Sequence, residues 1–169
     1  MTRGKNLLFA SIGEGALILL VGAIALVVRR PLIFASLGPT AYEMVEQPLA
    51  RSARTYNIIV GHMAGLGAGF LSLWLLGAWH APKVASAGFI TSSRLWAVVL
   101  AVVITTAITL ALKASQPASL STSMLVSLGS MQTGLDALAI AIAVVIMAVA
   151  GEPVRRQFAK ALLPRRDDH

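Results

Sequence analysis

The sequence predicts an all-α membrane protein: four transmembrane helices plus two short re-entrant or broken half-helices, in a span, half-helix, span arrangement that occurs twice. Three observations predict this. Hydrophobic residues make up 57% of the chain and charged residues 12%, against roughly a quarter charged in a soluble domain, so the chain lacks the polar residues to clothe a soluble surface. Its apolar residues gather in intervals long enough to cross a bilayer. Between those intervals lie two shorter, proline-bearing segments at matching places.

The first interval, Leu7–Val28, contains a single ionisable group, Glu14. It exceeds a signal-peptide core, and the Arg29-Arg30-Pro31 after it offers no small-residue cleavage site, so a retained span is expected. A short segment, Pro31 to Met44, follows. Ile58–Trp79 is as long as the first interval, with only His62 ionisable. Leu95–Leu112 is somewhat shorter and has no ionisable group. The second short segment runs from Gln116 to Gly129. Leu135–Ala150 is the shortest interval, with Asp136 near its start and Gly151 and Pro153 just past its end. A span needs roughly 17 to 25 residues. The first three intervals meet that outright, and the last reaches length by starting near Thr133. The whole of 1–169 reads as one membrane domain, with a first repeat at about 7–79, a second at about 95–150, and a basic tail at 154–169.

Each short segment opens near a proline and carries Thr followed by a small residue, Thr40-Ala41 and Thr122-Ser123. Gly/Pro-interrupted segments at corresponding places in two halves point to a transporter's binding site. The plainer alternative is an interfacial loop with a turn of helix. Irregular backbone at membrane depth is tolerated only around a cavity or within protein, which favours the re-entrant form.

The net charge is +7, but the basic residues flank apolar runs. Arg3 and Lys5 precede the first, Arg29 and Arg30 follow it, and Arg155, Arg156, Lys160, Arg165 and Arg166 follow the last. That placement is a topology signal and excludes a folded nucleic-acid face. If both short segments return to the side they left, the N-terminus, the 80–94 loop and the C-terminus share nine basic residues against five. Both termini are then expected in the cytoplasm, with the protein multi-pass in the cell (inner) membrane. The chain has no cysteine, hence no disulfide, thiol nucleophile or thiolate metal site.

Few side chains are equipped for chemistry. Gly61, Gly65 and Gly69 recur every four residues, so they share one helix face and admit a close neighbouring backbone; whether that neighbour belongs to this chain or another is open. His62 borders this seam, and an ionisable group within a span is either functional or a hydrogen-bonded packing device. Glu14 reads as a neutral carboxyl near the interface, and Asp136 as a first-turn carboxylate favoured by the helix dipole. A half-helix beginning at Gly38-Pro39-Thr40 presents free N–H groups and a positive dipole end, and proline at the first helical position needs no N–H partner. With Ser121 and Thr122 in the second segment, Thr40 supplies hydroxyls able to replace part of a small anion's hydration; the plain alternative is that they only cap helices. His62, His80 and His169 lack metal-ligand spacing, and no phosphate loop or nucleophile elbow is present. No metal, cofactor or enzymatic activity is expected.

At Ser36-Leu-Gly-Pro-Thr-Ala-Tyr42, Glu46-Gln-Pro-Leu-Ala50, Asn57 and Gly61-His62, the sequence resembles the HPP family of small integral membrane proteins. Gln116-Pro117-Ala118 and Met124-Leu-Val-Ser-Leu-Gly129 fall where that family places its His-Pro-Pro and the segment after it. Two departures stand out. Gln116 and Ala118 replace the histidine and second proline, and Thr55-Tyr56-Asn57 keeps only the asparagine of the usual Pro-Arg-Asn. Some members are implicated in nitrite transport, so the resemblance implies a transporter or channel for a small inorganic anion. The residues expected to line its path are Gly38, Pro39, Thr40, Asn57, His62, Gln116, Ser121 and Thr122. The alternative is a non-transporting structural or regulatory subunit that docks a partner through the Gly61/Gly65/Gly69 seam. Expected partners are the lipid bilayer, a small anion and further copies of the chain, and no nucleic acid.

Overall fold

The computed structural model describes residues 3–162. Among them are seven α-helices and no strand: α1 (Arg3–Val28), α2 (Leu37–Glu46), α3 (Thr55–Leu75), α4 (Val84–Ala87), α5 (Ser92–Ala111), α6 (Ala118–Ser127) and α7 (Gly134–Leu162), with a 3-10 turn at Ala78–His80. Four of these helices, α1, α3, α5 and α7, are long and apolar enough to cross a membrane. Large apolar side chains stay exposed along their outer faces, including Leu19, Leu26, Trp74, Trp96, Val103 and Leu110, as lipid-facing surfaces require.

Local chemistry sets the helix ends. Thr133 and Asp136 cap α7 reciprocally: the Thr133 N–H donates to the Asp136 carboxylate at 2.9 Å and the Asp136 N–H to the Thr133 hydroxyl at 3.1 Å. Asp136 is thus the first-turn carboxylate its position predicts. At its other end α7 runs through Pro153 to Leu162, past the stop expected at Gly151 and Pro153. On the turn where proline supplies no N–H, Glu152 pairs with Arg155 at 2.7 Å and with Arg156 at 2.8 Å. The residues after Ala150 are therefore helical as far as Leu162, and the rest of the expected tail lies outside the described residues. Both α1 and α5 end on a basic residue in the left-handed region, Arg29 (φ 51°) and Lys113 (φ 52°). Each has the closing bond of a Schellman turn, Arg30 N–H to Ala25 C=O and Ala114 N–H to Thr109 C=O.

Contacts between the helices fix their directions. Phe9 meets Phe158 edge-on at 6.2 Å, the Thr55 hydroxyl donates to the Ala148 carbonyl, and the Arg155 guanidinium donates to the Pro48 carbonyl. The start of α1, the start of α3, the finish of α2 and the second half of α7 therefore gather at one end of the bundle, here the terminal end. At the opposite end the Gln132 amide donates to the Trp79 carbonyl, and Arg94 at the start of α5 reaches Ala81, Pro82 and Ser127 at the finish of α6. Tyr56 donates to the Leu112 carbonyl, which returns the end of α5 to the terminal end.

Each short segment therefore leaves one end of the bundle and arrives at the other. Residues 29–36 run without helix from the opposite end, burying Leu32, Phe34 and Ser36, and α2 completes the passage to the terminal end. The 112–117 link leads inward from the terminal end, and α6 completes the passage the other way. This differs from the expected return of each segment to its starting side. Arg155 fastens the link just after α2 and Arg94 the end of α6 at opposite poles. The 80–94 connection accordingly lies away from the N-terminal end of α1, not beside it.

Candidate functional site

The glycine seam makes the interior of the bundle possible. A Cβ built on Gly61 would sit 2.7 Å from the Gln116 Cβ, and one on Gly69 would sit 2.7 Å from the Val126 Cβ. At Gly65 it would collide with the Ser119 carbonyl oxygen. The neighbour of the seam is thus α6 of the same chain, packed backbone against backbone. That settles the question the spacing left open, and it removes the seam as a surface for docking another protein.

The seam brings the hydroxyls of α6 against His62, which α2 approaches from the other side. Four side chains, all at 0% exposure, close into a ring: Ser36, Thr40, His62 and Thr122. The Thr40 hydroxyl donates to the Ser36 carbonyl at 2.9 Å. Its one proton is then committed, so it accepts from His62 Nε2 at 2.9 Å. Nε2 therefore carries the hydrogen, and Nδ1 accepts from the Thr122 hydroxyl at 2.6 Å. Thr122 in turn accepts from the Ser36 hydroxyl at 2.7 Å. Every hydroxyl and imidazole hydrogen of the ring is donated once with a neutral imidazole, which is how a buried polar group avoids the cost of desolvation.

Local sequence explains the geometry. Ser36 precedes α2, yet its hydroxyl does not cap the helix; it reaches across to Thr122 instead, leaving the first N–H groups of α2 without a side-chain cap. Thr40 stands four residues on, so both lie on one face of the chain entering α2. Thr122 on α6 sits one turn after Ser119 and next to Ser123, both buried, with hydroxyls donating back to the Gln116 and Leu120 carbonyls three residues before each.

Of the residues predicted to line a path, Thr40, His62 and Thr122 come together. Gln116 and Asn57 lie nearer the terminal end: Asn57 donates to the Ser115 carbonyl at 3.1 Å and holds the 112–117 link, and Gln116 accepts from the Ala118 N–H at 3.3 Å. Gly38, Pro39 and Ser121 are not ring members; Pro39 is exposed, and Gly38 has open space where a Cβ would stand. Glu14, half-buried on α1, does not meet His62, whose two nitrogens are occupied by threonines. Ser36 is the ring member missing from the expected set, although its place four residues before Thr40 is a usable signal. Among the described residues no cluster of His, Asp or Glu is arranged to hold a metal.

Arg94 also lies outside the expected set. Its side chain is wholly buried at the opposite end and donates to four neutral oxygens, the carbonyls of Ala81, Pro82 and Ser127 and the amide oxygen of Gln132. The Ser127 carbonyl belongs to the last turn of α6, where the helix dipole favours a cation. Gly129, in the left-handed region at φ 85°, leaves room for the guanidinium, whose Nη2 lies 2.7 Å from where a Cβ would be.

No curated protein and no solved structure matches the chain. A family model described as "HPP, transmembrane region" matches residues 1–157, nearly the whole bundle and every member of the ring. The chain is a membrane protein with four candidate spans, and it belongs to the HPP transmembrane family.

Proposed function

We propose that this protein carries a small inorganic anion of the nitrite type across the bilayer, and that the ring of Ser36, Thr40, His62 and Thr122 is its central binding place in a closed state. The observation that carries the reading is the ring itself. It gathers three hydroxyl protons and one imidazole N–H at the start of α2, where helix N–H groups lack a side-chain cap. An anion entering the ring takes donors that now bond each other, and these replace part of its hydration shell. The positive end of α2 adds to the attraction, and no side-chain charge has to be desolvated.

In this reading α2 and α6, each with the non-helical residues ahead of it, are broken spans. Ten helical residues cover only about 15 Å, half the apolar thickness, and unwound backbone supplies the rest inside protein, where it is tolerated. Three passages per half make the second half inverted relative to the first, the arrangement many transporters use around a midplane site. The basic residues fit this topology better than the four-span one. Among the described residues, Arg3, Lys5, Arg51, Arg54, Lys113, Arg155, Arg156 and Lys160 belong to the terminal end, against Arg29, Arg30, Lys83 and Arg94 at the other. In this reading the bias favours the terminal end in the cytoplasm.

The competing reading takes the fully satisfied ring as a permanent brace in a protein that transports nothing. Purified protein in liposomes separates the two. We expect nitrite uptake above that of empty liposomes; uptake equal to empty liposomes across a panel of small monovalent anions leaves the brace as the reading.

A further inference from the structure

One turn from the ring, toward the terminal end, lies a second polar pair that the ring does not use. Glu43 follows Thr40 by three residues on α2 and so stands on nearly the same face. Gln116 packs against Gly61, the residue before His62. The Gln116 side chain is 2% exposed, and its oxygen is occupied by the Ala118 N–H. Its Nε2 is buried with no hydrogen-bond partner, and so is Oε2 of Glu43. The Glu43 carboxyl has the side chains of Gln116 and Ser52 as its hydrogen-bonding neighbours, but Gln116 Nε2 and Glu43 Oε2, a donor facing an acceptor, do not close a hydrogen bond of good geometry. Unmatched buried polar atoms are uncommon enough to need an explanation.

The charges around Glu43 sharpen the point. Among the described residues the carboxylate in ion pairs is Glu152, with Arg155 and Arg156; Glu43 has no such partner. The elements around α2 carry Arg3, Lys5 and Glu14 on α1, His62 on α3, and Asp136, Glu152, Arg155, Arg156 and Lys160 on α7, while α6 has no ionisable residue. Arg51 and Arg54, either side of Ser52, are exposed and form no ion pair with Glu43. His62 is spent within the ring and Arg155 is held by Glu152 and the Pro48 carbonyl. On α2 itself Tyr42 and Glu46 are exposed. Glu43 is thus a half-buried carboxyl one turn from the ring, in no ion pair among the described residues. A proton is the neutralising agent that fits there, because an ionised carboxylate left unpaired in protein is costly while a carboxylic acid needs only hydrogen bonds.

We propose that Glu43, seated against Gln116 and Ser52, is a proton-carrying site, and that the protein moves its anion together with a proton. The proposal rests on the transport reading. The Glu43 carboxylate takes one proton from water at the terminal end as the anion enters the adjoining ring, cancelling its charge, and returns that proton to water when the anion leaves. No bond other than the O–H is made or broken, and no electron moves.

The test uses full-length protein in liposomes, with nitrite outside, a pH-sensitive dye inside, and the membrane potential clamped. We expect nitrite uptake to acidify the lumen beyond the acidification in empty liposomes and to speed up under an inward proton gradient, and Glu43→Gln to lose the response to the gradient. An infrared difference spectrum between nitrite-loaded and nitrite-free wild-type protein is the second measurement: a protonated-carboxyl band should appear when nitrite is added and should shift in Glu43→Asp. Nitrite uptake without proton movement, or a gradient response unchanged in Glu43→Gln, overturns proton coupling and leaves the transport reading standing. Absence of the carboxyl band overturns the proton site itself, even if Glu43→Gln does not fold. Absence of nitrite uptake in the wild type overturns both readings.

Discussion

The Thr122 hydroxyl lies 2.6 Å from Nδ1 of His62 and ties the glycine-seamed α3 to the short α6 across 60 positions of sequence. Because Nε2 of the same ring is tied to Thr40 on α2 at 2.9 Å, one imidazole joins both short helices to one long one. The position of His62 is not adjustable. Gly61 precedes it with Gln116 close by, and Gly65 follows with α6 backbone against it.

Thr122→Val tests this join. Valine keeps the shape but leaves Nδ1 without a donor and the Ser36 hydroxyl without an acceptor, both buried. Leaving such groups unmatched costs about 1 to 3 kcal/mol. Thermal unfolding in mild detergent should show a lower midpoint for Thr122→Val than for Ser121→Val, because Ser121 is outside the ring; equal midpoints would contradict the assignment of hydrogen bonds.

Gly65→Ala tests the seam. The added methyl meets the carbonyl oxygen of Ser119, and a backbone atom cannot swing aside as a side chain can. Overpacking typically costs about 1 to 3 kcal/mol, and this site should fall at the upper end or fail to fold. Gly67→Ala has nothing within 4 Å of its added methyl and should be stable. Comparing the two by detergent-solubilised yield and melting checks the claim, and equal behaviour would count against close α3–α6 packing.

How far these features are visible in the sequence follows from the range of the interactions. Apolar run length and the four-residue glycine spacing are local signals, and they locate the long spans and the seam. The Thr133–Asp136 cap is likewise local. The partner of the seam is not, because glycine spacing states that a backbone approaches and says nothing about which one. His62 is recognisable as an ionisable group within a span, but its closure with Ser36, Thr40 and Thr122 depends on α2 and α6 meeting on either side of it. The path of the short segments escapes the sequence for a related reason. Their length excludes a full helical crossing but leaves open a crossing made half by extended chain, and the decisive contacts, Arg155 to Pro48 and Arg94 to Ser127, join residues far apart in sequence.

The path of the short segments has its own test. The chain has no cysteine, so single cysteines report cleanly. Gln47 and Ser86 are both exposed and lie at opposite ends of the bundle. A membrane-impermeant thiol reagent added to intact cells should label Ser86→Cys and leave Gln47→Cys unlabelled until the cells are opened. Labelling of Gln47→Cys, with Ser86→Cys protected, would restore the arrangement in which both segments turn back.

Arg94 closes the opposite end as a cation bound to neutral oxygens. Arg94→Met removes four hydrogen bonds, the one to Ser127 at 3.1 Å and the one to Ala81 at 2.8 Å among them. With charge-assisted hydrogen bonds worth about 1.5 to 3 kcal/mol each and overlapping in effect, the variant should lose about 3 kcal/mol or more of stability. Arg94→Lys should recover only part of it, since an ammonium lacks the planar fork. Melting of both variants against wild type checks this, and full recovery by lysine would argue against a fork-shaped clamp.

The central claim is that the ring gives up its internal hydrogen bonds to an anion. Its most direct test is nitrite uptake into liposomes by wild type, Thr122→Val and His62→Phe, with each variant first shown to be folded by its melting transition. The account predicts uptake by the wild type and its loss in either variant that remains folded. Uptake at the wild-type rate by a folded His62→Phe protein would contradict it.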